Sequence, residues 1–349
     1  MKERPFGATG LFVAEIGMGC SLLGRRRMLR ADREWVRLLH RAFELGINFY
    51  DTADSYQDGL SEELIGRAFR DRRSRVIIAS KVGYRTSTLT KLAKRLAGVL
   101  PYGYAVVRSS SNDLPATLTR QRQDFSPDHI QEAIEGSLKR LRTDYLDVFQ
   151  LHNPPFPLLQ LEEVFETLDG LKQEGKIRSY GVSAATVPDA EGWLQHDRIS
   201  SIQVPLNLLE QRAATTALPQ AARKQVAVIA RIPLGRGLLT RKRAVQTGPR
   251  VEDLRELEKS RARVKELTFL LKDGARTLPQ AAIRFVLQYP GVSVVIPGTT
   301  SIPHLEEDVA ASATPLLTEE EVRRIHGLSR VWAEADAEPT YVEAGPPTS

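Results

Sequence analysis

The sequence predicts an α/β protein, a (β/α)8 TIM barrel with an N-terminal β-hairpin and long loops after strands 3 and 7, on three observations. Short runs rich in Val and Ile alternate with amphipathic helical patterns, as strands of a parallel sheet covered on both faces do. The 349 residues exceed the roughly 250 that a bare barrel needs. No Gly-x-Gly-x-x-Gly follows an early strand, which argues against an open dinucleotide-binding sheet. Gly17-x-Gly19 is too short for that motif and reads as a strand end that packs closely.

Taken in order, residues 1–16 place Ala8-Thr9-Gly10 between strand-like runs, a hairpin signal. Eight strands then read at 16–20, 47–50, 76–80, 145–151, 179–183, 202–204, 226–230 and 292–296. A helix follows at 61–69. Ser126 and Pro127 form an N-cap and first-turn pair, after which Ile130, Ala133, Ile134, Leu138 and Leu141 keep helical spacing. Leu161, Val164, Phe165, Leu168 and Leu171 form another stripe, stopped by Gly175. Two connections are longer than packing requires. In 82–126, Leu89, Leu92, Ala93, Leu96 and Val99-Leu100 suggest a helix, while 108–124 reads as mobile. The second long loop is 233–260, with Gly235, Gly237, Gly248 and Pro249. Both belong to the face that carries barrel active sites. Residues 1–332 read as one domain and 333–349 as a flexible tail.

A composition of 42% hydrophobic and 26% charged residues is that of a globular chain. The first residues lack a signal peptide's apolar run, and nothing later approaches the roughly 18 to 20 apolar residues of a membrane span. A cytoplasmic protein without a membrane partner is expected. The single cysteine, Cys20, cannot form an internal disulfide and reads as a buried strand residue. The formal charge of +6 is unevenly placed, because residues 82–126 hold seven basic side chains against two acidic ones. No zinc-finger spacing or aromatic-basic RNA motif accompanies them, so nucleic acid is not an expected partner. The segment reads as a solvated loop, or more sharply as an attractor of an anionic cofactor or substrate.

Ionisable side chains fall at consecutive strand ends. Asp51 follows the second strand, Lys81 closes Val76-Ile77-Ile78-Ala79-Ser80, and His152 closes Asp147-Val148-Phe149-Gln150-Leu151. In a barrel these ends share one rim. Tyr56, five residues past Asp51, can fold back over the same point. A phenol with a pKa near ~10 is a poor acid at neutral pH, but a neighbouring ammonium stabilises the phenolate and lowers that value. Lys81 can supply the charge, Asp51 its counter-ion, and His152 can orient a carbonyl oxygen or share its proton transfer. Singly, these residues read as loop hydrogen bonds, a rim tyrosine and a structural histidine; jointly they point to a proton-transfer site. No metal is expected, since neither His-x-His nor His-Glu-x-x-His occurs. A serine nucleophile is not expected either, for want of a Gly-x-Ser-x-Gly elbow.

Several motifs are similar to those of the aldo-keto reductases, along nearly the whole chain. They are Phe6-Gly7-Ala8-Thr9-Gly10-Leu11, Asn48-Phe49-Tyr50-Asp51-Thr52-Ala53-Asp54-Ser55-Tyr56, Glu62-Glu63-Leu64-Ile65-Gly66, Gln150-Leu151-His152-Asn153-Pro154, Gly175-Lys176-Ile177-Arg178, Gly181-Val182-Ser183 and Ile296-Pro297-Gly298. The resemblance implies NADPH or NADH bound across the C-terminal rim, a small-molecule carbonyl substrate, and Asp51, Tyr56, Lys81 and His152 as the catalytic set with Tyr56 as general acid. It implies that Ser183 and Gln203, with Asn153, hold the nicotinamide carboxamide. Pro233, Leu234, Gly235, Arg236 and Gly237 resemble the loop around the pyrophosphate, and Gly298, Thr299, Thr300, His304, Glu307 and Asp308 the contacts at the adenosine end.

The chain departs from the family pattern at several of these positions. Ala184 stands where an Asn often follows Ser183, and Arg231 where many members stack an aromatic on the nicotinamide. Gly298, Thr300, His304 and Asp308 stand where Lys, Arg or Asn are common. For this chain NADPH is expected ahead of NADH, on the preference of the family at large, while the lack of a firm cation at those positions admits NADH. A non-catalytic, cofactor-binding regulatory subunit of the same fold is the alternative; a chain that opens directly on the hairpin, with no added interaction segment, favours the enzyme.

Overall fold

The computed structural model describes residues 1–24, 32–85, 122–158, 161–240, 251–272 and 274–337. The strands are Glu3–Pro5 (β1), Phe12–Ala14 (β2), Met18–Gly19 (β3), Phe49–Asp51 (β4), Ile77–Val82 (β5), Tyr84–Arg85 (β6), Arg122–Gln123 (β7), Leu146–His152 (β8), Ile177–Ser183 (β9), Ser201–Pro205 (β10), Ala227–Arg231 (β11) and Val292–Ile296 (β12). β1 and β2 pair antiparallel as the expected hairpin. The eight expected barrel strands form one sheet in the order β3-β4-β5-β8-β9-β10-β11-β12. Parallel bridges Ile16–Val295 and Gly19–Gly298 join its two ends. Gly19 favours this close approach, since a Cβ would lie 3.0 Å from the Ile296 carbonyl oxygen.

Helices cover the outside between strands. Pro127–Leu141 starts on Ser126, whose side chain accepts the His129 amide. Leu161–Gln173 is followed by Gly175 at φ 75°, a left-handed position that ends it. Both agree with the capping signals in the sequence.

Three expectations are corrected. Residues 251–260, expected within a loop, belong to the helix Val251–Glu266. That stretch is rich in Glu, Leu, Arg and Lys, strong helix formers whose propensity the loop reading overlooked. Arg122–Gln123, at the end of the stretch expected to be mobile, is ordered by antiparallel pairing with Tyr84–Arg85. The last helix, Glu319–Ala337, runs beyond 333, where a tail was expected to begin. The helix suggested around Leu89–Leu100, the remainder of 108–124 up to 121, Gly248, Pro249 and 338–349 lie outside the described residues.

Strand period separates two cores. Outward-facing Tyr50, Ile78, Phe149, Leu151, Val182, Ile202 and Val204 join the helices in one large cluster. Inward-facing Phe49, Ile77, Ala79, Val148, Ala227, Ile229 and Val294 meet Phe6 and Val13 of the hairpin in a second, which plugs the barrel at the strands' N-terminal ends. Two residues further along each strand, the same inward face carries Asp51, Lys81, Gln150, Gln203 and Arg231. The lumen therefore turns from apolar to polar towards one rim.

Gly66 shows how tightly the outer layer is set. A Cβ there would lie 2.6 Å from the Leu141 carbonyl oxygen and 2.7 Å from that of Arg140. Gly66→Ala must push the Leu60–Phe69 helix off its neighbour, and is expected to lower stability by about 1–3 kcal/mol. Urea unfolding reads this as a lower midpoint; an unchanged midpoint would show that the helices separate freely.

Candidate active site

Lys81 is the centre of the polar rim. Its side chain is fully buried, and Nζ donates to Asp51 Oδ2 at 2.7 Å, to the Thr52 carbonyl at 2.7 Å and to the Tyr56 hydroxyl at 3.3 Å. Three partners match the three donors of an ammonium. The other carboxylate oxygen of Asp51 accepts from Gln203 Nε2 at 2.7 Å and Gln150 Nε2 at 3.3 Å. Ser183 Oγ in turn donates to Gln203 Oε1 at 3.1 Å. Tyr56 reaches the site because the turn Tyr56–Gly59 folds back after β4, with Gln57 and Asp58 at positive φ. The four residues expected to converge are thus placed together, with His152 5.7 Å from Tyr56 ring to ring.

Their electrostatics follow from burial and from each other. Burial pulls the Lys81 ammonium down, but Asp51 and Tyr56 outweigh it and its pKa stands above the ordinary lysine value. Burial pushes the Tyr56 phenol up; Lys81 draws it back and Asp51 raises it again, leaving it above the ordinary tyrosine value. The expected net lowering by Lys81 is corrected accordingly: the ammonium acts in the expected direction, and desolvation is larger. Burial, then Lys81 and Arg231, hold His152 well below the ordinary histidine value, so its ring is neutral at pH 7.

The remaining expected residues lie around the same rim. Asn153, at φ 53°, gives its side-chain amide to the Tyr84 hydroxyl at 3.0 Å. Arg231 Nη2 donates to the carbonyls of Ala184 and Ala185, at 2.9 and 3.0 Å, which anchors the guanidinium across β10. Pro233, Leu234, Gly235, Arg236 and Gly237 make a tight turn in which Gly235, Arg236 and Gly237 all have positive φ. The amides of Gly235 and Gly237 donate to the Ile232 and Leu234 carbonyls, so the glycines serve the turn itself. Gly298 pairs with Gly19, Thr299 Oγ1 accepts from the Ser301 amide, and Ser301 caps the helix Ile302–Ala310. Thr300 is half-buried, His304 exposed, Glu307 half-buried and Asp308 buried.

Several site residues were not read from the sequence. Gln150 shares the inward face with His152, and the two-residue period was the signal that could have found it. Glu62 is fully buried, accepting from Ser80 Oγ at 2.5 Å and Arg140 Nε at 2.6 Å, partners that no local pattern connects. Asp54 lies against this group and against Lys81, whose carbonyl accepts its amide. Tyr84 contacts both Asn153 and His152. Cys20 is buried, its thiol held far above the ordinary range by burial, and its amide donates to the Asp51 carbonyl at 2.8 Å.

A closed parallel barrel thus gathers a charged lysine, a phenol and a neutral imidazole at its C-terminal rim, an arrangement able to move a proton. A model of the aldo/keto reductase family matches residues 15–330, and the chain belongs to that family. An uncharacterized oxidoreductase of Bacillus subtilis, YqkF, is 31% identical over 335 residues, covering 95% of this chain and 97% of that protein. The NADH-specific methylglyoxal reductase of Escherichia coli is 25% identical, covering 89% and 93%. The holo form of aldo-keto reductase AKR11C1 from Bacillus halodurans superposes with a TM-score of 0.74 at 30% identity, covering 94% and 96%. The protein is therefore an NAD(P)H-dependent oxidoreductase. Among the described residues no helix is long and apolar enough to cross a membrane, and no group of three or more His, Cys, Asp or Glu could hold a metal ion.

Asp54 supplies a pH test. Its carboxyl is pushed up to about 7, by burial first and then by Glu62. An unfolded aspartate titrates near ~3.9, so between those values the folded chain holds a proton that the unfolded chain lacks, and stability falls as pH rises. Asp54→Asn is expected to raise the thermal midpoint at pH 8 and to change it little at pH 4. Equal shifts at both would show that the Asp54 carboxyl titrates in the folded chain as it does in the unfolded one.

Proposed function

We propose that the chain reduces an aldehyde, ketone or sugar carbonyl to the alcohol, with Tyr56 as general acid. The observation that carries this reading is the single ammonium, Lys81, shared between Asp51 and the Tyr56 hydroxyl. The phenol, held protonated at neutral pH, gives its proton to the carbonyl oxygen. Lys81 stabilises the phenolate that remains, and Asp51 keeps Lys81 charged. His152, neutral and with Nδ1 buried, has Nε2 left to orient the same oxygen.

The rim fits an extended dinucleotide. The Ser183–Gln203 hydrogen bond sets two polar side chains beside Asp51, suited with Asn153 to a carboxamide. Arg236, exposed within the Pro233–Gly237 turn, suits a pyrophosphate, while Arg231 before it suits the nicotinamide end. Gly298, Thr299, Thr300 and the Ser301-capped helix suit the adenosine end. When bound, the reduced nicotinamide supplies hydride to the carbonyl carbon.

The cofactor assigned is NADH ahead of NADPH, in place of the NADPH expected from the sequence and from the family at large. The helix Ile302–Ala310 carries Glu306, Glu307 and Asp308 and no Lys or Arg. Among the described residues the cation that reaches it, Arg41, is held by Glu306 and Glu44. A 2′-phosphate there meets like charge. The similarity to an NADH-specific reductase supports the same choice.

Two measurements test the reading. Tyr56→Phe is expected to lower kcat/KM for small aldehydes, methylglyoxal included, by about 10²- to 10⁴-fold, while NADH still quenches protein fluorescence; an unchanged rate would place the acid elsewhere. KM is expected to be lower for NADH than for NADPH, and His304→Arg to improve NADPH by about tenfold, one charge-assisted contact. A parent enzyme with the lower KM for NADPH would overturn the cofactor assignment.

A further inference from the structure

We infer that Tyr84 is a positioning residue that holds the His152 imidazole, making the short β6–β7 pair part of the catalytic rim. The inference rests on the role proposed for His152 at the carbonyl oxygen. A working histidine is normally oriented by a hydrogen bond at its second ring nitrogen. Among the described residues His152 has no such bond, because Nδ1 is buried without a hydrogen-bond partner. Two tyrosines grip the ring instead, both edge-on. Tyr84 lies 4.9 Å away at 84°, and Tyr56 5.7 Å away at 83°.

Tyr84 is itself held on two sides. Its hydroxyl accepts from Asn153 Nδ2 at 3.0 Å, and Asn153 is the next residue after His152. Its strand partner is Gln123, whose Nε2 donates to the Asn153 carbonyl at 2.7 Å. Tyr84, Asn153 and Gln123 therefore lock one another, and the lock closes over His152. The chain reaches Tyr84 through Gly83 at φ 148°, where a Cβ would lie 2.5 Å from the Phe125 ring and 3.0 Å from the His152 carbonyl oxygen. No other residue type lets β5 pass so close to His152 and turn into β6. The charged groups acting on the imidazole are Lys81 and Arg231, both of which oppose its protonation. The ring of Tyr84 contributes the remaining constraint by excluding water from one edge.

The test is a titration of the histidine rings by nitrogen-15 NMR in the full chain, which has six histidines, with His152 assigned from a His152→Gln variant. In the parent, His152 is expected to remain neutral across the neutral range. In Tyr84→Ala water reaches the ring, and the midpoint moves up towards about 6.5. Tyr84→Phe, which keeps the edge contact, is expected to stay near the parent. Tyr84→Leu, which fills the space without an aromatic ring, moves the midpoint the same way by less, and takes the place of Tyr84→Ala if that variant does not fold. kcat for aldehyde reduction is expected to fall about tenfold or more in Tyr84→Ala with KM for NADH little changed, and Tyr84→Phe to recover most of the loss. An unmoved midpoint in the folded alanine variant overturns the inference. Because the titration needs no turnover, a moved midpoint with unchanged kcat supports the positioning by Tyr84 and overturns the role given to His152 instead.

Discussion

An ammonium taken out of water must meet an opposite charge, and the Lys81–Asp51 contact at 2.7 Å sets the terms for everything around it. Asp51 cannot serve Lys81 alone, since its second oxygen is also buried. Gln203 and Gln150 satisfy that oxygen, and Ser183 fixes Gln203. A chain of polar groups from four strands, β4, β8, β9 and β10, is thus committed to keeping one lysine charged. Tyr56 benefits from this arrangement, because the third donor of Lys81 points at its hydroxyl. The phenol is held protonated by desolvation while the ammonium waits to receive the negative charge it leaves.

The barrel makes such a cluster affordable by separating an apolar floor from a polar rim. Phe6 and Val13 of the hairpin close the N-terminal end over Phe49, Ile77, Val148 and Ile229. The polar residues then occur one pleat later on the same face, towards the C-terminal ends of the strands. Outside the rim a second buried group, Glu62 with Ser80 and Arg140, supports the turn that carries Tyr56. It also presses on Asp54, whose carboxyl is raised by burial first and by the neighbouring Glu62 second. The rim is further completed by β6 and β7, a pair too short to stabilise itself, which is anchored by Asn153 and Gln123.

Much of this is legible in the sequence. The eight strands, the hairpin, the Ser126 cap and the Gly175 stop are local signals, readable because side-chain period and backbone preference are properties of a few neighbouring residues. Asp51, Lys81 and His152 stood out because each follows an apolar run. Gln150 lay between apolar neighbours and offered no such contrast. Val251–Glu266 is a helix inside a connection whose length suggests a loop, although its residues favour a helix.

The sequence by itself determined the barrel, the strand ends that bear chemistry and the family to which they belong, because these depend on patterns short enough to survive without partners. Only the tertiary structure decided how those groups behave. Burial outweighs Lys81 in setting the Tyr56 phenol, and Arg231 joins Lys81 in keeping His152 neutral. Tyr84 comes to stand against His152 across 68 residues of chain. Desolvation and charge coupling depend on distance in space, and distance in space between remote residues is what folding alone supplies.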